Sequence, residues 1–394
     1  MPSLCREHSP SDVRRGSAAL DEVRLSGFSL VRVLMMPDYR AGNPYQQLLA
    51  DALGSHQVQV LFPAGYRRVL PLWRACRDAS GIDVLHLHWI DPYLRGHSMA
   101  IQGLYCLRLL ADVALVRASG VRVVWTIHNA ASHDSRFPKL ERWVQRRLAK
   151  QVDRVIVHAQ SNLRELREAL PLPDRKVSVI PHGHYRKAYG PAMERKAARR
   201  ELGLPETGRI YLYFGYLRPY KGVEGLVSEW AKSGRGEAGD TLLIAGHAAD
   251  ENYLAQISAA SKAAGAVKII PGFVASEKVP VFFGAADIVV LPFRKILTSG
   301  SLMLAMSYGK PIIAPRAGAV AEMLGDADDL LYDPEDPHGL KRCLHKSTSL
   351  PLAALSEKVE AACGLPGWEG LAEMTAAAYR QARARWISEV PKHV

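Results

Sequence analysis

The sequence predicts an α/β protein built from two doubly wound parallel sheets, and three observations predict it. Short, β-branched, almost wholly apolar runs alternate with longer amphipathic stretches, as expected for strands buried on both faces. The runs fall into two successive sets, each able to make its own sheet. The chain of 394 residues, 48% hydrophobic and 23% charged, has room for two domains of about 100–200 residues each.

In chain order, residues 1–26 are polar and charged, with no apolar stretch of the signal-peptide kind, and read as a flexible extension. The first domain, 27–188, takes its strands from VRVLMMP (31–37), QVQVLF (57–62), IDVLHLHW (82–89), VRVVWTIHN (121–129), DRVIVHA (153–159) and KVSVIPHG (176–183). A basic, polar linker follows at 189–206, marked by Gly190-Pro191 and Leu204-Pro205 and in part suited to helix. The second domain, 207–365, supplies RIYLYFGYL (209–217), DTLLIAGH (240–247), VKIIPGF (267–273), ADIVVLPF (286–293) and KPIIAP (310–315). Residues 366–394 form an amphipathic helix carrying Trp368, Tyr379 and Trp386.

Five cysteines (Cys5, Cys76, Cys106, Cys343 and Cys363) include no CxxC pair, which suggests free thiols in a reducing compartment. The apolar stretch from Ser98 to Trp125 is interrupted by Arg108, Asp112, Arg117 and Arg122. A membrane span needs about 20 mostly apolar residues, so none is expected there. The net charge of +12 is concentrated in Lys139 to Arg154 and Arg195 to Glu201. Those clusters are either solvated helix faces or a surface resting on anionic lipid, where each basic residue contributes about 1 kcal/mol. No nucleic-acid module accompanies the charge, so nucleic acid is not an expected partner.

Ligands of open α/β sheets bind beyond the carboxyl ends of the strands. Those ends carry His86, His88, Trp89 and Asp91, then His128 and Asn129, His158, and His182 and His184. In the second set they carry Gly215 to Lys221, Gly246-His247, Gly272-Phe273 and Pro292-Phe293. In FGYLRPYKG, Gly215 permits close approach, and Arg218 and Lys221 project from a turn held by Pro219. A guanidinium fork and an ammonium together suit a diphosphate; a merely solvated turn is the alternative. Thr298-Ser299-Gly300-Ser301 opens a helix whose first amides and hydroxyls can hold an anion, or can simply cap the helix. Asn43-Pro44 reads equally as a cap with proline at the first helical position.

Six stretches together resemble the GT-B glycosyltransferases, and more narrowly the bacterial exopolysaccharide mannosyltransferases of the xanthan-assembly type. They are NPYQQLLADAL (43–53), DVLHLHWIDPYL (83–94), WTIHNAASHD (125–134), IPHGHYRKAY (180–189), YFGYLRPYKGVEGL (213–226) and TSGSLMLAMSYGKPIIAP (298–315), in the family's order. The resemblance implies transfer of mannose, with inversion, from GDP-mannose to a polyprenyl-diphosphate-linked glycan. The enzyme would be cytoplasmic and peripheral on the inner face of the cytoplasmic membrane, with the last helix crossing back to the first domain. The implied donor-binding residues are Gly215, Arg218, Lys221 and Thr298 to Ser301. Acceptor and cleft residues are Asn43, His88, Trp89, Asn129, His133, Asp134, His182 and His184; the two last suit a hinge role as well. An inverting transfer needs a base for the acceptor hydroxyl, and Asp91 is the first candidate, with His128 second.

Two departures bear on this reading. Many relatives place an arginine directly after the glycine where this chain has Tyr216, and the retaining enzymes of the fold carry glutamates where it has Ile296 and Leu304. The Asp-x-Asp in DADD (326–329) lies far in sequence from the site stretches. With Arg218 and Lys221 to neutralise the leaving group, no metal cofactor is expected. A UDP-sugar transferase and a silent nucleotide-binding module are the alternatives.

Overall fold

The computed structural model describes residues 30–63, 65, 69–128, 136–364 and 366–389; the extension expected at 1–26 lies outside them. The described strands form two six-stranded sheets. The first contains β1 (Val31–Met36), β2 (Val58–Leu61), β3 (Val84–Leu87), β4 (Arg122–Thr126), β5 (Arg154–Val157) and β6 (Val177–Val179), in the order β2-β1-β3-β4-β5-β6. The second contains β7 (Ile210–Phe214), β8 (Thr241–Gly246), β9 (Val267–Pro271), β10 (Ile288–Val290), β11 (Ile312–Pro315) and β12 (Leu331–Tyr332), in the order β12-β11-β10-β7-β8-β9. Every pairing is parallel, with Val33 opposite Val84 and Leu212 opposite Val289. Strand order reverses at β1/β3 and at β7/β10, which creates a crevice at each point.

Strands β3, β4, β8 and β11 are buried at every position, the reason their sequences read as unbroken apolar runs. One apolar cluster passes from Val33, Tyr45 and Tyr185 to Leu302, Leu304 and Tyr379, so both halves contribute to a shared core. Strand β12 extends the second sheet beyond the five strands read from sequence. It pairs only Ala314–Leu331 and Pro315–Tyr332, too short a segment to leave a period.

Seven helices bear on the ends and faces of the two sheets: α1 (Tyr45–Leu53), α2 (Asp91–Leu94), α3 (Met99–Ala118), α4 (Pro138–Gln151), α5 (Gln160–Ala169), α6 (Arg195–Glu201) and α7 (Gly300–Ser307). An eighth, α8 (Trp368–Glu389), packs on α1 and β4 of the first sheet. Trp368 Nε1 donates to the His184 carbonyl at 2.7 Å, and Tyr379 meets His86 Nδ1 at 2.7 Å. A Cβ on Gly183 would stand 2.3 Å from the Trp368 ring, so the indole occupies the space the glycine leaves.

Two sequence readings are refined. The basic run from Arg195 to Glu201 is not a uniformly solvated face. Arg199 is fully buried and binds Asp287 at 2.5 Å as well as the carbonyls of Glu206 and Gly208, and Arg195 reaches the same carboxylate at 3.0 Å. The apolar stretch at 98–125 breaks after α3, which by its 20 residues and mean hydropathy of 1.6 is long and apolar enough to cross a membrane. Its inner face is nevertheless core: Leu109, Val113 and Val116 are buried, and buried Asp112 accepts from the amides of Leu72 and Trp73, each at 2.8 Å. The described cysteines Cys76, Cys106, Cys343 and Cys363 are free and buried.

Candidate functional site

The carboxyl ends of the two sheets face each other across a cavity of about 380 Å³. The first half lines it with Arg40 to Pro44 after β1, Trp89 after β3, His128 after β4, and His182 and Tyr185 after β6. The second half contributes Gly215, Tyr216 and Lys221 after β7, Gly246 and His247 at the end of β8, Phe273 after β9, and Thr298 to Ser301 before and at the start of α7.

Of the residues singled out from sequence, Asn43, Trp89, His128, His182, Gly215, Lys221, Thr298, Ser299, Gly300 and Ser301 meet at this cavity. His88 lies buried behind it, Asp91 begins α2 outside the lining, and His184 faces Trp368. Arg218 is also outside the lining, with its guanidinium 5.4 Å from the Tyr216 ring centre. Asn129, His133 and Asp134 lie outside the described residues. Sequence reasoning missed Arg40, Tyr185 and Tyr220, which line the cavity. Tyr185 OH donates to Asn43 Oδ1 at 3.3 Å, and that oxygen also accepts the Tyr45 amide at 3.0 Å. Asn43 therefore orders the start of α1 and ties it to the segment after β6 within the same wall.

Two glycines let the second-half wall pack tightly. Gly215 has φ +146°, and a Cβ there would meet Ser301 Oγ at 2.7 Å; Gly246 has φ +150°, and its Cβ would fall 1.8 Å from the Gly215 carbonyl oxygen. Lys221 follows in the turn, with Nζ 4.4 Å from the Phe293 ring centre. Dehydration, assisted by the nearby Arg218 charge, pulls its ammonium down to about 8. Such a cation is poorly compensated until an anion arrives. Ser299 caps α7 by accepting the Leu302 amide at 3.4 Å, while Thr298 Oγ1 donates to the His128 carbonyl of the other half at 2.8 Å.

Histidines form a string beneath the first-half wall. His158 Nδ1 meets the Ile180 carbonyl at 2.9 Å; His158 Nε2 meets His128 Nδ1 at 3.3 Å; His128 Nε2 meets His88 Nδ1 at 3.2 Å. Burial holds His158 down at about 4 and, with neighbouring histidines, keeps His88 and His128 well below the usual range, so all three are neutral near pH 7. A carbonyl only accepts, so Nδ1 of His158 carries its proton. It follows that Nδ1 of His128 and Nδ1 of His88 carry theirs. The string ends on the lone pair of His88 Nε2, buried and without a hydrogen-bond partner among the described residues. His128 is thus pinned at both nitrogens and stacked on Trp89, ring centres 4.3 Å apart. It presents a fixed ring to the cavity rather than a free base.

Among the described residues no carboxylate lines the cavity, whereas Arg40 and Lys221 do. Asp91, the candidate acid at the start of α2, is raised above the usual carboxylate range by burial and by Glu141, against the pull of Arg95. Nor is any described group of three or more His, Cys, Asp or Glu side chains placed to hold a metal ion. In DADD, Asp328 pairs with Arg316 and Asp329 with Lys358, both at 2.8 Å. On the far side of the interface, Glu322 of the second half caps α5 of the first, accepting the amides of Gln160 and Ser161 at 2.8 Å each and Ser161 Oγ at 2.9 Å.

Comparison with known proteins agrees with this layout. Residues 31–184 match the family described as Glycosyltransferase Family 4, and residues 208–347 match Glycosyl transferases group 1. The chain is 30% identical over 330 residues to the GDP-mannose:glycolipid 4-beta-D-mannosyltransferase of Xanthomonas campestris pv. campestris, covering 81% of this chain and 84% of that protein. Among solved structures, sucrose-phosphate synthase from Thermosynechococcus elongatus superposes with a TM-score of 0.68 at 19% identity, over 90% of this chain and 99% of that one. HepE of Anabaena in complex with UDP gives 0.66 at 16% identity, over 89% and 99%.

Proposed function

The chain belongs to the GT-B glycosyltransferases, and from that premise we propose that it transfers mannose, with inversion, from GDP-mannose to a lipid-linked oligosaccharide of exopolysaccharide assembly. The observation that carries the reading is the character of the cavity between the sheets. It has the dehydrated ammonium of Lys221, the guanidinium of Arg40 held by Asp38 at 2.9 Å, the amides and hydroxyls at the start of α7 packed close on Gly215, and no carboxylate among its described lining residues. Such a site favours a diphosphate. The choice of mannose and of GDP rests on the mannosyltransferase of Xanthomonas campestris.

In the proposed reaction the diphosphate lies between Lys221 and the start of α7, with Arg218 adding charge from behind the turn. The acceptor hydroxyl approaches from the first-half wall near Asp91, whose raised affinity for protons suits a general base. The acceptor O–H bond breaks and its proton passes to the Asp91 carboxylate. The freed oxygen bonds to the anomeric carbon from the face opposite the diphosphate, and the carbon–oxygen bond to the diphosphate breaks. GDP leaves with the added charge, neutralised by Lys221 without a metal cofactor. His128, held by its neighbours, positions the sugar. The reaction takes place on the inner face of the cytoplasmic membrane.

The test is transfer from radiolabelled GDP-mannose and UDP-glucose to a detergent-solubilised polyprenyl-diphosphate glycan, with and without EDTA. Asp91→Asn should abolish transfer while stabilisation by GDP persists. Transfer from UDP-glucose alone would overturn the donor assignment, and full activity of Asp91→Asn would overturn the base.

A further inference from the structure

We propose that α3 and α4 form a docking surface for an anionic lipid bilayer, on which α3 lies flat. The two helices pack against each other over the first sheet. On α3, Met99, Leu104, Leu107 and Leu115 are 67%, 62%, 58% and 40% exposed. Ala100, Ala111, Ala114 and Ala118 are exposed between them, so the stripe follows the helical period along the whole helix without a charge. The charged side chains of α3 are engaged by the protein: Asp112 is buried, Arg117 pairs with Asp153 at 2.9 Å, and Arg108 lies over the Tyr105 ring and donates to the Tyr93 carbonyl at 3.2 Å.

The neighbouring face of α4 supplies the charge. Lys139, Arg142, Arg146, Arg147 and Lys150 are exposed beside Trp143, and the one acid of the helix, Glu141, is buried. A basic face with a tryptophan along an apolar stripe is the complement of phosphate headgroups above acyl chains. Large exposed apolar side chains concentrate here: of the eleven among the described residues, five lie on α3 and α4. The helix does not span, because its other face is part of the protein core. Both helices begin beyond the carboxyl ends of their preceding strands, at the cleft end of the sheet. The surface therefore runs from the bilayer to the place where a lipid-linked acceptor would enter. That purpose rests on the acceptor proposed above; the surface itself rests on exposure and charge.

Flotation of the full chain with vesicles of one part phosphatidylglycerol to three parts phosphatidylcholine tests the proposal, with pure phosphatidylcholine as control. Binding to the anionic vesicles is expected. It should fall at least tenfold in the Leu104→Ser/Leu107→Ser double variant, and in the Arg142→Ser/Arg146→Ser/Arg147→Ser triple variant or in high salt. Stabilisation by GDP should be unchanged in both variants, showing that they fold. Equal binding by both variants and the wild type would overturn the proposal. So would absence of vesicle binding, or a solution dimer that the leucine variant dissociates, which would make a second copy the occupant. Vesicle binding without transfer from any sugar donor would uphold the surface and fail the proposed function. Transfer to a detergent-solubilised acceptor without vesicle binding would do the reverse.

Discussion

Replacing Lys221 with methionine should make the free protein more stable while removing its hold on a nucleoside diphosphate. The ammonium titrates near 8 in the fold, against 10.5 for an ordinary lysine, because it is dehydrated and lies close to Arg218. The unfolded chain therefore binds more protons than the fold between those two values, and stability should rise with pH across that interval. That lowering is worth about 3 kcal/mol against the charged fold near pH 7.5 and about 1.5 kcal/mol at pH 9.5. Methionine fills much the same volume without the charge, so the Lys221→Met variant should exceed the wild type by about those amounts at the two pH values. Denaturant unfolding of both proteins at both pH values reads the difference directly, since groups common to them cancel. GDP should stabilise the wild type at pH 7.5, about tenfold more weakly bound by pH 9 as the free ammonium deprotonates, and should not stabilise the variant. A variant less stable than the wild type at pH 7.5, or one that keeps its GDP response, would refute the reasoning.

Gly246→Ala should leave a protein that is insoluble or unresponsive to GDP, because its Cβ would fall 1.8 Å from the Gly215 carbonyl oxygen at a φ of +150°; a GDP titration matching wild type would contradict this. Tyr379→Phe should cost about 1–3 kcal/mol in denaturant unfolding by leaving buried His86 Nδ1 unsatisfied, with unaltered stability as the contrary result. Glu322→Ala should loosen the two halves, seen as a larger radius of gyration in solution scattering, at a cost on the order of 1 kcal/mol for so exposed a carboxylate. Burial pushes the Glu322 carboxyl up, but the hydrogen bonds from Ser161 and Gln160 outweigh it and hold the group below the ordinary glutamate range. In the wild type this contact should therefore persist above that range and be lost only as pH falls through the lowered value; equal scattering from mutant and wild type would count against it.

The strands buried on both faces were legible because burial leaves one signal, an apolar run, and the strand-end rule then led to Lys221, His128 and the start of α7. Strand β12 was not, since two paired residues carry no period. Arg199 was misgrouped with solvent-facing arginines because Asp287, its partner, is 88 positions away. Arg40 and Tyr185 gave no warning for a similar reason: a tyrosine or arginine in a loop has the same local pattern whether it faces solvent or a cavity. Each histidine of the string could be placed at a strand end from sequence. Their mutual hydrogen bonds could not, because those depend on β3, β4 and β5 being adjacent in the sheet.

The return of α8 has a consequence for how the chain is made. Synthesis delivers β1 to β6 and α1 long before Trp368 leaves the ribosome, and Tyr379 lies 293 positions beyond the histidine it contacts. Until then Gly183 borders an empty slot, His86 lacks the Tyr379 hydroxyl, and the face of α1 that α8 covers remains exposed. The first half to emerge is thus the last to be completed, and a stalled or truncated nascent chain would be a client for chaperones rather than a folded domain.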